Sequence, residues 1–276
     1  MELGASHTPS RLRHHTEGAG RMLFSDLKPF VKRLLARTGF QLIRTSASQT
    51  QDLHLLRILT TLAINCVLDV GAHTGEFGRE LRRIGYRGHI VSFEPVACNF
   101  RELFRVASGD PWWRVFPFAL GERNGHADIN VFGGSTFHSL LAPNEYGRET
   151  FGEKLAIERT ERIEIKRLDE VLDSCLEGIP TPRLYLKMDT QGYDLAVVEG
   201  AGAALGRVLA LQTEVALQTI YQDMRTTLCN TIPELQERGF GVTGLFPVTR
   251  DVKDGLQIIE LDCVMIRSRA GPESTA

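Results

Sequence analysis

Two glycines four residues apart, following an aspartate at the end of a short apolar run, are the first residues here whose spacing suggests chemistry: Val67-Leu68-Asp69-Val70-Gly71-Ala72-His73-Thr74-Gly75. A charge in a buried strand is costly without a partner, so Asp69 is expected to face a ligand. Gly71 and Gly75 permit positive backbone dihedrals and let a ligand approach the main chain. The helical stretch from about Glu76 to Ile84 offers free amide donors at its start. Roughly twenty residues on, His89-Ile90-Val91-Ser92-Phe93 ends in Glu94-Pro95, where an acidic side chain can accept hydrogen bonds from both hydroxyls of a ribose. Together these predict a nucleoside-type cofactor held by Asp69, Gly71, Ala72, His73, Gly75, Glu94 and Pro95. Phe118-Ala119-Leu120-Gly121 is a further candidate, its backbone at Ala119 and Leu120 lying beside the adenine ring. A dinucleotide would use the same geometry, but the loop lacks the three-glycine pattern and carries His73 between its glycines. An adenosyl group with a short amino-acid tail suits it better.

A second set of chemical residues closes two later apolar runs. Leu184-Tyr185-Leu186 is followed by Lys187-Met188-Asp189, which puts alternating charges at a strand's carboxyl end, where open α/β sheets bind ligands. Asp189 is the first catalytic candidate. Same-face alternation lets Lys187 pair with it, which would stabilise the carboxylate and lower its basicity. Glu214, in Gln212-Thr213-Glu214-Val215, is the neighbouring acid. Asp189 and Glu214 could share a divalent cation that acidifies a substrate hydroxyl, although no third clear ligand is visible. Tyr146 and Tyr193 are polar aromatics near the expected mouth, and residue types of that kind are more often half-buried packing.

These residues need a scaffold. Short apolar runs alternate with helical stretches, the signature of parallel strands joined by crossover helices. Strands are expected at Cys66–Val70, His89–Phe93, Arg114–Phe118, Arg183–Met188 and Leu209–Val215, with a closing pair at Gly241–Phe246 and Ile259–Ile266. Between the third and fourth, Ala127–Phe132 and Arg162–Arg167 alternate like strands around a Gly/Ser/Thr-rich loop, so an insert near 127–167 is expected to lie over the active-site mouth. The expected organisation is a disordered leader over 1–20, a helical segment over 21–62 packed on the core, and one catalytic domain over 63–270. Within the second piece, Leu23, Leu27, Phe30, Val31, Leu34 and Leu35 recur at helical spacing beside Lys28, Lys32, Arg33 and Arg37, so peripheral membrane contact is conceivable.

Bulk properties agree with a single globular enzyme-sized domain: 276 residues, 42% hydrophobic and 24% charged, with a formal net charge of -2. That charge gives no field for holding phosphate backbones, so general nucleic-acid binding is disfavoured. The five cysteines stand apart, without zinc or redox spacing, and read as small buried hydrophobes of a reducing cytosol. No signal-peptide core or bilayer-length apolar run is present, so a cytoplasmic location is expected. Oligomeric state cannot be read from these features.

From about Val67 to Ile266 the chain resembles the FkbM-type methyltransferases. The carrying segments are Leu68 to Gly75, Val91-Ser92-Phe93-Glu94-Pro95, Ala119-Leu120-Gly121 and Leu186-Lys187-Met188-Asp189-Thr190-Gln191-Gly192-Tyr193-Asp194. The resemblance implies an α/β, Rossmann-like, seven-stranded methyltransferase fold: a three-layer sandwich with a mostly parallel sheet. It also implies S-adenosylmethionine as cofactor and methyl transfer to oxygen, on a hydroxyl of a sugar, glycolipid or other natural product. By that likeness Asp69, Gly71 and Gly75 contact the methionyl end and Glu94 the ribose. Gly133 to Leu140 resembles the family's serine-rich segment, making His138 a general-base candidate and Ser139 an acceptor-positioning hydroxyl. Lys187, Gln191 and Tyr193 join the candidates for acceptor contact. One departure stands out: the family usually has asparagine where this chain has His73, a group that titrates near neutrality. A nicotinamide-dependent reductase and a non-catalytic nucleoside-binding module remain as alternatives.

Overall fold

The structure, a computed structural model, describes Thr38 and residues 50–252 and 255–268. The chain divides into two units, Met1–Gln49 and Thr50–Ala276, and the account below concerns the second. The expected leader and the basic helix from Leu23 to Arg37 lie outside the described residues.

Among the described residues ten strands form two sheets. The larger has seven, in the order β3 (Trp113–Phe116), β2 (His89–Phe93), β1 (Cys66–Val70), β7 (Leu184–Met188), β8 (Val208–Ala216), β10 (Ile258–Arg267), β9 (Phe240–Arg250). The first five are parallel, and β10 runs antiparallel to both β8 and β9. Side chains alternate across this sheet, and each face finds its own cover. Cys66, Leu68, Val70, Leu184, Leu186 and Met188 pack with Leu172, Val197, Val198 and Leu235 from helices Leu168–Cys175, Asp194–Ala201 and Leu228–Glu237. On the opposite face Val67, Ile90, Tyr185, Ala210 and Val264 meet Leu55, Ile58, Leu81 and Leu103 from helices Gln51–Thr61, Glu76–Arg83 and Ala97–Ala107. This is the expected α/β sandwich of three layers. Among the described residues no helix is long and apolar enough to cross a membrane.

The smaller sheet pairs β4 (Ala119–Leu120), β6 (Ile157–Lys166) and β5 (Gly125–Phe132), and it corrects the expected third strand. That strand stops at Phe116 rather than Phe118, because Pro117 has no N–H to give a parallel ladder. Ala119 and Leu120 leave the main sheet and pair with Ile165 and Lys166 instead.

Candidate active site

A cleft of about 460 Å³ opens over the carboxyl ends of the central strands. At its β1 edge Gly71 has φ +76°, and a Cβ there would stand 2.0 Å from the carbonyl oxygen of Asp189. Glycine is therefore demanded by the neighbouring chain end of β7 as well as by the turn. Gly71 and Ala72 both donate to Phe93 O, at 3.1 and 3.0 Å, which pins the loop to β2. Gly75, with φ +90°, caps the following helix. Under that helix lies Trp113: a Cβ on Gly78 would meet its ring at 2.1 Å.

Behind the loop a polar row crosses four strands in register, Ser92, Asp69, Lys187 and Gln212. Trp113 Nε1 donates to Ser92 Oγ at 3.0 Å, and Ser92 Oγ donates to Asp69 Oδ2 at 3.1 Å. Lys187 Nζ stands 3.5 Å from Asp69 Oδ1, an ion-pair distance too long for a hydrogen bond, and 3.2 Å from Asp189 Oδ2. Burial pulls the proton affinity of Asp69 upward and Lys187 opposes it. Burial alone would drain charge from Lys187, but Asp189 and Asp69 hold its pKa above the ordinary lysine value. The ammonium thus stays charged between two carboxylates.

His73 sits in the left-handed region, φ 48°, which asparagine tolerates better than most residues and histidine also visits. Its main-chain N–H donates to Glu94 Oε2 at 2.9 Å, and Val96 N–H donates to Glu94 Oε1 at 2.9 Å. Two main-chain donors thus orient the Glu94 carboxylate, and each oxygen keeps a second lone pair for a hydroxyl. Burial pushes its pKa up to about 7. The His73 ring is 3.1 Å from Glu76 Oε1 through Nδ1, and its buried Nε2 has no hydrogen-bond partner. That contact with Glu76 raises the imidazole's pKa above the usual histidine value.

The structure brings most expected site residues to one cleft. Gly71, Ala72, His73, Glu94, Pro95, Ala119, Leu120, His138, Lys187, Asp189, Gln191, Tyr193 and Glu214 all line it. Three do not. Asp69 is fully buried beneath the loop, so it supports Lys187 rather than meeting a ligand. Gly75 faces Leu103 and Trp113. Ser139 is buried, donating to Gln191 O at 2.7 Å and accepting from Leu141 N at 3.1 Å, which makes it a brace for the Gln191 loop instead of an acceptor contact. Tyr146 is also away from the cleft, its hydroxyl 3.2 Å from Asp251 Oδ2.

The general-base expectation for His138 is corrected by its tautomer. Phe132 N–H donates to Nδ1 at 3.1 Å, so that nitrogen must offer its lone pair, and the neutral ring carries its proton on Nε2. Burial, reinforced by His73, lowers the pKa to about 4. His138 is a neutral hydrogen-bond donor. The shared-cation expectation is changed by Gln191, whose Nε2 donates to Asp189 Oδ1 at 3.2 Å and Glu214 Oε2 at 2.9 Å, bridging the two carboxylates. Among the described residues no three His, Cys, Asp or Glu side chains converge as metal ligands.

Gln191 is held in place by Asp194. This fully buried carboxylate accepts from Thr190 N (2.9 Å), Thr190 Oγ1, Thr213 Oγ1 (2.7 Å) and Glu214 N (3.1 Å), tying the loop after β7 to β8. Four donors account for a charge that the sequence alone left unassigned. Also unforeseen were Gln51, Gln212 and Asp262 in the lining, and Trp113 and Ser92 beneath it. For Asp262 a signal was available: Glu260 and Asp262 alternate on one face of an otherwise apolar closing strand.

A parallel sheet in which β10 alone runs antiparallel, between β8 and β9, and the cleft at its carboxyl edge define a methyltransferase-type α/β fold. Residues 69–241 match the family described as Methyltransferase FkbM domain, and the chain belongs to that family. The matched family is described as one of methyltransferases. No curated protein matches it in sequence. Solved structures with a similar fold include fibrillarin from Aeropyrum pernix with natively bound S-adenosylmethionine (13% identity, TM-score 0.41, 73% of this chain and 66%, just under two thirds, of that one). An rRNA methylase from Streptococcus thermophilus gives 12% identity and TM-score 0.42 over 80% of this chain and 99% of that one. Precorrin-6y C5,15-methyltransferase from Geobacter metallireducens gives 10% and 0.41 over 80% and 90%. None of the three, at such distance, bears on what this chain methylates.

Proposed function

We propose that the protein transfers a methyl group from S-adenosylmethionine to a hydroxyl of a small sugar-like or natural-product acceptor. The observation that carries this reading is the charge of the cleft. Among the described residues its lining holds six acidic side chains, Glu76, Glu80, Glu94, Asp189, Glu214 and Asp262, against one ammonium, Lys187, and no arginine. A cationic sulfonium is favoured in such a field, and the pyrophosphate of a nicotinamide dinucleotide is repelled. The residues also fit the group itself: Glu94 has spare acceptor capacity for ribose hydroxyls, and the buried Nε2 of His73 lacks a partner that a polar tail can supply.

Bound there, S-adenosylmethionine supplies an electrophilic methyl group. The chain's own contribution is to align the acceptor and manage one proton. Asp189 is suited to receive that proton, since its side chain is 41% exposed and it is oriented by Lys187 and Gln191. Burial among other acids raises the proton affinity of Glu214, which acts as a hydrogen-bonding wall. His138 Nε2–H offers a donor to an acceptor oxygen. A carbon-13 methyl-labelled cofactor tests the reading on a panel of polyhydroxyl compounds. The labelled carbon is expected to show the shift of a methyl ether; a methyl on nitrogen, sulfur or ring carbon overturns the oxygen assignment.

A further inference from the structure

We propose that the acceptor enters as a cation, its protonated amine held at the β8–β10 end of the cleft by Glu214 and Asp262. The inference rests on the methyltransferase reading of the cleft and adds the chemical class of the acceptor, an amino sugar or amino alcohol.

Sheet order separates two halves of the cleft. Glu94 follows β2, while Asp262 lies on β10, four strand spacings or roughly 19 Å away. A cofactor placed by Glu94 and the β1 loop leaves the β8–β10 end for the acceptor. Glu214 and Asp262 are directly paired across the ladder and share one face of the sheet. Among the described residues no arginine lines that end, and Lys187 is already committed to Asp69 and Asp189. Glutamine amides serve both acids, Gln191 on Glu214 and Gln51, at 2.5 Å, with Gln212 on Asp262, but amides bring no compensating charge.

A third acid stands behind the pair. Glu260 is only 2% exposed, lies two residues from Asp262 on the same face, and its buried Oε1 has no hydrogen-bond partner. An unpartnered carboxylate oxygen in the interior is expensive, and a cation close by is the usual remedy. The proton affinities of Glu214, Glu260 and Asp262 are all raised, Glu260 to about 7, burial leading and mutual repulsion adding to it. An ammonium with three divergent donors suits carboxylates spread along two strands, and its distance from Asp189, one to two strand spacings or about 5–10 Å, is that between an amine and a nearby hydroxyl on one sugar ring or short chain.

The test uses isotope-labelled full-length protein saturated with S-adenosylhomocysteine, titrated separately with glucosamine, N-acetylglucosamine and millimolar magnesium. Backbone amide shifts on β8 and β10 are read. Glucosamine is expected to bind at least about tenfold more tightly than its neutral N-acetyl derivative, with affinity falling as salt rises. The isosteric Glu214→Gln, Asp262→Asn double variant is expected to lose that preference while keeping S-adenosylhomocysteine binding. Equal affinity for the two sugars, no shift with either, or magnesium moving these amides in place of glucosamine overturns the inference. Failure of S-adenosylhomocysteine itself to bind would instead remove the methyltransferase reading underneath it.

Discussion

At the β2 end of the cleft Glu94 is buried, yet both of its oxygens take main-chain N–H donors from His73 and Val96. At the β8–β10 end Glu214 and Glu260 are also buried and Asp262 is half-buried, but side-chain amides and neighbouring acids surround them, and one oxygen of Glu260 has no partner. The first arrangement is built by backbone geometry and is ready for a ligand with hydroxyls. The second stores unfavourable charge that a ligand must relieve. Cofactor recognition and acceptor recognition thus rest on different physics within one cleft.

The comparison can be broken most severely at Gly71. Gly71→Ala places a methyl group against the Asp189 carbonyl at a positive φ, so destabilisation of roughly 3 kcal/mol or more is expected, with loss of cofactor binding. Chemical denaturation and calorimetric titration check it; near-wild-type stability would show that the β1 loop and β7 are free to separate.

Next in size is the pH dependence of the cofactor end. With Glu94 titrating near 7 in the free protein, and ribose hydroxyls needing the ionised form, affinity for S-adenosylhomocysteine should fall about tenfold per unit as pH drops below about 6.5. Glu94→Gln should bind more weakly near pH 8 and lose that fall. His73, with its raised pKa, contributes the opposite sign, gaining a proton and a second donor at Nε2 over the same range. A flat wild-type profile means the two cancel, and His73→Asn then uncovers the Glu94 slope.

At the acid end the sign for stability is fixed by Glu260. Its folded-state pKa, about 7, exceeds the usual carboxylate value, so its contribution is greatest at low pH and is lost as pH rises through about 7. Glu260→Gln should therefore be nearly neutral near pH 5 and stabilising by about 1–3 kcal/mol near pH 8, seen as a rise in melting temperature. The smallest effect is expected behind the loop. Trp113→Phe removes the indole donor to Ser92 and costs about 1–3 kcal/mol with a modest loss of cofactor affinity.

The frame was legible because it is written in local patterns. The five parallel strands appear as apolar runs, and the loop after β1 and Glu94 after β2 declare themselves by spacing. What escaped was set by tertiary partners. Asp69 looks like a ligand-facing acid until Lys187 is seen beside it, one strand away but well over a hundred residues along the chain. Ser139 and His138 are polar residues in a flexible-looking loop, and only the folded pairing with Gln191 O and Phe132 N–H gives them structural roles. Trp112 and Trp113 are adjacent and alike in sequence, yet Trp112 lies exposed in the turn before β3 while Trp113 opens the strand and supports the cofactor loop.

Calorimetric titration of the purified protein with S-adenosylmethionine and, separately, with NAD is the most direct test of the central claim. An acid-lined cleft with Glu94 preset for a ribose predicts binding of S-adenosylmethionine with a dissociation constant on the order of micromolar and no measurable heat with NAD. Binding of NAD in a protein that ignores S-adenosylmethionine would contradict it.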